Sequence, residues 1–190
     1  MYLCSDDIRM LIEECKLIET SFDPAFCEEY DRIEGATYDF RLGRVAIPDP
    51  NSNIIPFFGF DSNGREVRRL PKLIELEPTN GIYRFYGGRS YIIQSIETFN
   101  MPNGVGGIVA SKSSYFIALS ETSGTFISPG FSGKLKCKFR CDFDPYIEVA
   151  RNYRIGCVKF FTHAPGSCDP YKGIWTGDKL TTNGKFERGY

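Results

Sequence analysis

The sequence predicts a mainly β fold, a barrel or jelly roll opened by a short helix. Three observations carry this. Turn signals recur closely through most of the chain, the runs between them are short, and several of those runs alternate polar with apolar residues. Strands broken up by turns in this way suit a closed or double antiparallel sheet, whereas a parallel sheet would need helical crossovers that the sequence does not offer. At 190 residues the chain is long enough for one well-cored domain and short for two, so a single domain over residues 1–190 is expected.

Ser5-Asp6-Asp7 is a good helix start, because a hydroxyl accepts a free backbone N–H and acids suit the positive end of a helix. Ile8, Leu11, Ile12 and Cys15 then recur at helical spacing and Ile18 continues the stripe, which predicts a helix over 5–19. After Asp23-Pro24 the character changes, and Thr37-Tyr38-Asp39-Phe40-Arg41-Leu42 alternates as a half-buried strand does. Pro48-Asp49-Pro50-Asn51, Asp61-Ser62-Asn63-Gly64, Asn80-Gly81, Gly87-Gly88, Pro102-Asn103-Gly104, Pro129-Gly130 and Asn183-Gly184 mark turns. The Pro-, Asn- and Gly-rich segment 48–66 carries Ile54-Ile55 and Phe57-Phe58, so it reads as an ordered excursion and not a linker. The stretch from Pro170 mixes Gly, Lys and Thr with Tyr171, Trp175 and Phe186, as suits a tail that docks on a surface or closes over a site.

Hydrophobic residues at 42% and charged residues at 25% are the proportions of a globular chain, and no stretch approaches the roughly 20 apolar residues of a membrane span. The start lacks a signal peptide's basic and apolar regions, so a cytoplasmic protein is expected. A formal net charge of −1 gives no general attraction to polyanions, and any basic site must be a local concentration. Seven cysteines at irregular spacing fit reduced thiols, mostly small core residues, better than a disulfide framework. Cys137, Cys141, Cys157, Cys168 and His163, the single histidine, match no zinc module, because no CxxC pair is present.

Gly106-Gly107-Ile108-Val109-Ala110-Ser111-Lys112-Ser113 nearly spells a phosphate-cradling loop, but Ser111 takes the place of its second glycine and no βαβ pattern surrounds it. Lys112, Ser113 and Ser114 are still suitable phosphate donors, or else an ordinary polar turn. Lys134, Lys136, Lys138 and Arg140 alternate with Leu135, Cys137, Phe139 and Cys141, which on a strand puts four cations on one face and four apolar groups on the other. The cationic face reads either as a solvated exterior or as a pocket wall that attracts a polyanion. No triad is legible by spacing, and Glu121 reads as a surface acid or a catalytic one.

Several blocks, in order, resemble the dCTP deaminase family and its dUTPase relatives. The helix from Ser5 followed by Ile33-Glu34-Gly35-Ala36-Thr37-Tyr38-Asp39-Phe40-Arg41-Leu42-Gly43 is similar to the family's opening. Tyr83 to Arg89, Gln94-Ser95-Ile96-Glu97 and Met101-Pro102 resemble its next strands. Ser111-Lys112-Ser113-Ser114 stands where the family has Gly-Arg-Ser-Ser, and Ile127-Ser128-Pro129-Gly130-Phe131-Ser132-Gly133 where it has Ile-Asp-Pro-Gly-aromatic-x-Gly. Residues 153–161 resemble its penultimate core strand, and Pro170 to Gly177 its lid-like tail, here 168–190. Residues 44–80 match poorly and form an atypical insert.

The resemblance implies a dUTPase-like distorted β barrel or jelly roll, a homotrimer with nucleotide sites between subunits, and deamination by water without protein-bound metal, Mg2+ accompanying the triphosphate. Carried over position by position, the proton-handling glutamate falls on Lys138, the aspartate on Ser128, the first phosphate arginine on Lys112 and the second on Ile117. A protonated lysine cannot take a proton from water, and loss of a general base costs about 100- to 10,000-fold. Arg to Lys at 112 also loses the planar two-point grip on phosphate. The dUTPase reaction fares no better, since its aspartate maps close to the Ser128 turn. Strand alternation makes Lys136 and Arg140 same-face neighbours of Lys138, so the implied cavity is cationic.

The expected function is therefore binding of a nucleotide or other phosphorylated ligand without efficient deamination, as a sensor, sequestering protein or regulator. Lys112, Ser113, Ser114, Ser128, Lys136, Lys138, Arg140 and Tyr171 form the expected site, with Trp175 stacking on a base. Candidate ligands are a nucleotide bound phosphate-inward, a cyclic or short oligonucleotide, or an acidic partner protein. One alternative is a working deaminase or nucleotide diphosphatase in which Glu121, Asp142, Asp144 or Asp178 supplies the carboxylate. Another is a structural or interaction trimer.

Overall fold

The computed structural model describes residues 1–20, 33–53, 56–124, 126–163, 171 and 185–187. Helix α1, Ser5–Cys15, starts one residue earlier than the hydroxyl suggests. Cys4 is the cap residue, and Asp7 reaches back to accept its backbone N–H at 2.9 Å. The helix also stops short of the expected residue 19. Lys16 takes the left-handed conformation (φ 51°), the Leu17 N–H closes onto the Leu11 carbonyl, and the chain turns into strand β1, Ile18–Glu19. Ile18 is buried as the helical stripe predicts, but as a strand residue opposite Phe99.

The other strands are β2 Ile33–Glu34, β3 Thr37–Pro48, β4 Phe57–Phe60, β5 Glu66–Arg69, β6 Leu73–Leu76, β7 Ile82–Tyr86, β8 Arg89–Asn100, β9 Val105–Ala110, β10 Ser120–Ser123, β11 Phe126–Ile127, β12 Ser132–Cys141, β13 Tyr146–Ala150, β14 Arg154–Thr162 and β15 Lys185–Glu187, with helix α2, Ser113–Ile117, between β9 and β10. The main sheet runs β10-β12-β8-β3-β14-β9-β11, with β1 on β8 and both β2 and β6 on β3. Strand β13 pairs with β7, and β4, β5 and β15 form a small separate sheet. All strand pairings among the described residues are antiparallel, and the mainly β expectation holds. No described helix is long and apolar enough to cross a membrane.

Tyr38, Phe40, Phe85, Phe99, Phe139 and Phe160 are fully buried, and Phe85 lies 4.6 Å from Phe139 and 4.9 Å from Tyr91 between ring centres. Strand β3 departs from the half-buried reading. It is buried on both sides, and the polar members of its alternation are inside: Asp39 is 2% and Arg41 1% exposed. Charges survive there only when paired. The Arg41 guanidinium meets buried Glu97 at 2.7 Å, the same carboxylate accepts the Arg41 backbone N–H, and Asp39 is ion-paired to Lys112. Gly43 sits at the shift of register between β3 and β8, where a side chain would come within 3.1 Å of the Gln94 and Ser95 carbonyls.

Residues 44–80, expected to form an insert, join the sheet at both ends. Residues Val45 to Pro48 pair with Leu76 to Leu73, and between them stands the β4–β5 hairpin. The Asp61 carboxylate closes its turn by accepting the Asn63 and Arg65 N–H groups, and Gly64 takes φ 74°.

Candidate functional site

Ser128-Pro129-Gly130-Phe131 forms the turn that aims β12. The Phe131 N–H bonds back to the Ser128 carbonyl at 3.2 Å, with Pro129 and Gly130 (φ 76°) at its centre, the arrangement of a type II turn. Bonds between Met101 and both Gly130 and Phe131 fasten it to the end of β8. Strand β12 then alternates as its sequence predicts: Leu135, Cys137, Phe139 and Cys141 are buried, Lys134 and Lys136 half-buried, Lys138 and Arg140 exposed.

A cavity of about 430 Å3 opens beside this strand, a volume that suits a small organic ligand. Lys134, Lys136, Lys138 and Ser128 supply its polar side chains, and Val109, Phe126, Ile127, Phe131 and Ile92 an apolar wall. Tyr171 closes one side. Its N–H donates to the Pro129 carbonyl at 2.8 Å and its ring meets Phe131 edge to face at 5.7 Å. Pro48, Leu70, Pro71 and Leu73, all within residues 44–80, close the other.

The structure thus brings together Ser128, Lys136, Lys138 and Tyr171. It places Lys112, Ser113, Ser114 and Arg140 away from the cavity lining. Lys112 is engaged by the buried Asp39 carboxylate, which Arg154 also approaches at 3.5 Å, while Ser113 and Ser114 are exposed on the first turn of α2. Arg140 is turned to Asp142 at 2.8 Å and stands opposite Glu121 in the β10–β12 pair. Trp175 lies outside the described residues. Sequence reasoning put Lys134 in the basic strip but not in the site, although the same alternation that placed Lys136 carries it in. Pro48, Leu70, Pro71 and Leu73 gave no signal, since nothing in their types says which loop closes a cavity.

No carboxylate lines the cavity among the described residues. Of the acids weighed as catalytic replacements, Glu121 and Asp144 are exposed. The Arg140 guanidinium beside Asp142 holds that carboxyl below its ordinary range, with Lys138 adding to the effect. Asp178 lies outside the described residues. Cys137 touches the cavity, but burial pushes its thiol up to about 12, far from a ready thiolate. No cluster of three or more His, Cys, Asp and Glu that would hold a metal occurs among the described residues.

The family described as dCTP deaminase-like matches residues 2–163. Among solved structures, the 2′-deoxycytidine 5′-triphosphate deaminase of Agrobacterium tumefaciens is similar over 85% of this chain and 48% of its own, with a TM-score of 0.60 at 20% identity. The chain therefore spans about half the length of that protein. The EIAV dUTPase aligns over 54% of this chain and 84% of its own (TM-score 0.41, 16% identity). A dUTPase of Staphylococcus bacteriophage 80alpha aligns over 70% and 88% (TM-score 0.40, 11% identity).

Proposed function

The chain belongs to the dCTP deaminase-like family, and from that premise we propose that it binds a nucleotide or other phosphorylated ligand in the β12 cavity without efficient deamination. One observation carries the reading: three lysines and no carboxylate line that cavity among the described residues. Three ammonium groups favour a polyanion, and each supplies charge-assisted hydrogen bonds to phosphate. Deamination by water needs a group that takes up a proton, and an ammonium group has no site for one.

Ser128 contributes a hydroxyl in place of the family's aspartate, so the cavity gains no negative charge there. The apolar wall of Val109, Phe126 and Ile127 gives the uncharged part of a ligand a surface to cover. Mg2+ enters this reading only as the companion of a bound triphosphate. The proposal includes a homotrimer, supported by the exposed run Phe116, Ile117 and Leu119 at the end of α2.

Calorimetric titration with a panel of nucleotides, together with product analysis on dCTP and dUTP, tests the reading. Binding without turnover is expected, and Lys138→Glu should weaken it. Turnover of about 1 per second or more, an ordinary enzymatic rate, overturns the inactive half. Absence of binding to any nucleotide, or binding indifferent to Lys138→Glu, overturns the other half.

A further inference from the structure

Lys134, Lys136 and Lys138 occupy every second residue of β12, about 13 Å of strand from first to last, with a shift of register against β8 between Lys134 and Lys136. The phosphates of a triphosphate are joined through single oxygens and crowd into a shorter length. Those of a phosphodiester chain are a whole nucleotide apart, a separation closer to the two-residue step of a strand. The lysine row thus fits a repeating polyanion better than one nucleotide.

The row also has a direction. The ladder sets Lys138 level with Ile92, Ala46 and Glu75, and two residues further along β3 and β6 are Pro48 and Leu73, which line the cavity. Leu70 and Pro71, also lining it, directly follow the β5 residues Arg68 and Arg69. Across the hairpin Phe58 faces Arg68, and Phe58 and Phe60 are 68% and 71% exposed on the same side of β4. Acids are present as well: Glu66 faces Phe60, Glu75 is ion-paired to Arg44, and Asp61 is held in the turn. A cationic row running out to exposed aromatic rings has the two components of a single-strand binding track, charge for the backbone and flat faces for the bases.

We infer that the phosphorylated ligand of the cavity is a single-stranded oligonucleotide, whose phosphates follow Lys134, Lys136 and Lys138 and whose bases leave the cavity over the β4–β5 hairpin. This rests on the reading that the cavity takes a phosphorylated ligand.

Fluorescence anisotropy with a labelled oligothymidylate of about six nucleotides, competed by dCTP and dUTP, tests it on the full chain. The oligonucleotide should bind at least tenfold more tightly than either mononucleotide. Its log Kd should change with log salt at a slope near 2 in magnitude for three phosphate contacts, and each Lys→Gln change at 134, 136 or 138 should reduce that slope by about 0.7. Phe58→Ala with Phe60→Ala should weaken oligonucleotide binding about tenfold or more and leave dCTP binding as it was. The inference is overturned, with the mononucleotide reading intact, if dCTP binds as tightly as the oligonucleotide or if the double phenylalanine variant binds both normally. Oligonucleotide binding that ignores all three lysine changes also overturns it. If neither ligand binds, the cavity reading falls too.

Discussion

Cys137 and Lys138 are neighbours on β12 with opposite surroundings, one buried and one exposed. Burial raises the Cys137 thiol from its ordinary 9.0 to about 12. A group raised in this way keeps its proton longer folded than unfolded, so the fold gains from it below pH 9 and loses that gain as pH rises towards 12. Tyr115, also pushed up by burial, acts in the same sense. Melting temperature should therefore fall through this alkaline window, and Cys137→Val, which removes one of the titrating groups, should make the fall shallower. The Arg41–Glu97 pair makes a second test, with both side chains nearly inaccessible. Glu97→Ala leaves a guanidinium buried without its counter-charge and should cost about 3–5 kcal/mol in urea unfolding, a loss in the range of broken buried pairs.

At the scale of elements, what could be read from sequence follows from how many faces each strand buries. Residues 132–141 bury one face, so period-two alternation was visible and correctly placed the lysines away from the core. Strand β3 shows the same alternation and buries both faces, because Asp39 and Arg41 find partners 73 and 56 positions away, which no local pattern announces. Helix α1 ended early for a comparable reason. Ile18 satisfied the helical stripe and the strand equally well, and its place opposite Phe99 depends on the distant strand β8. The Ser128–Phe131 turn was legible from its Pro-Gly pair, and the hairpin turn at Asp61–Gly64 from its Asp-Ser-Asn-Gly run. Packing between β14 and β3 gives an element-scale prediction. A methyl group on Gly156 would sit 2.6 Å from the ring of fully buried Phe40. Gly156→Ala should thus destabilise by about 1–3 kcal/mol, seen as a lower urea midpoint at unchanged slope.

For the whole molecule, the sharpest question concerns the apolar surface that a single chain leaves uncovered. Phe116, Ile117 and Leu119 are 69%, 87% and 60% exposed within four residues, and Leu119 holds a left-handed backbone (φ 48°) that leucine seldom adopts. A contiguous apolar run in water is costly unless something covers it. In the proposed homotrimer the neighbouring subunits do so, which would also explain an isoleucine at position 117, where the resemblance places a phosphate-gripping arginine. An interface of this kind does not tolerate a buried charge without a partner, whereas an exposed Ile117 in a free chain accepts one at little cost. Light scattering should therefore give a mass near three times the 21.5 kDa chain for the unaltered protein and one chain for Ile117→Glu. The variant's monomer should keep its β circular dichroism, because Ile117 is 87% exposed and takes no part in the core. An unaltered protein already at the mass of one chain, or a trimer that survives Ile117→Glu, would leave this surface for another partner and remove the subunit interface from the account of the site.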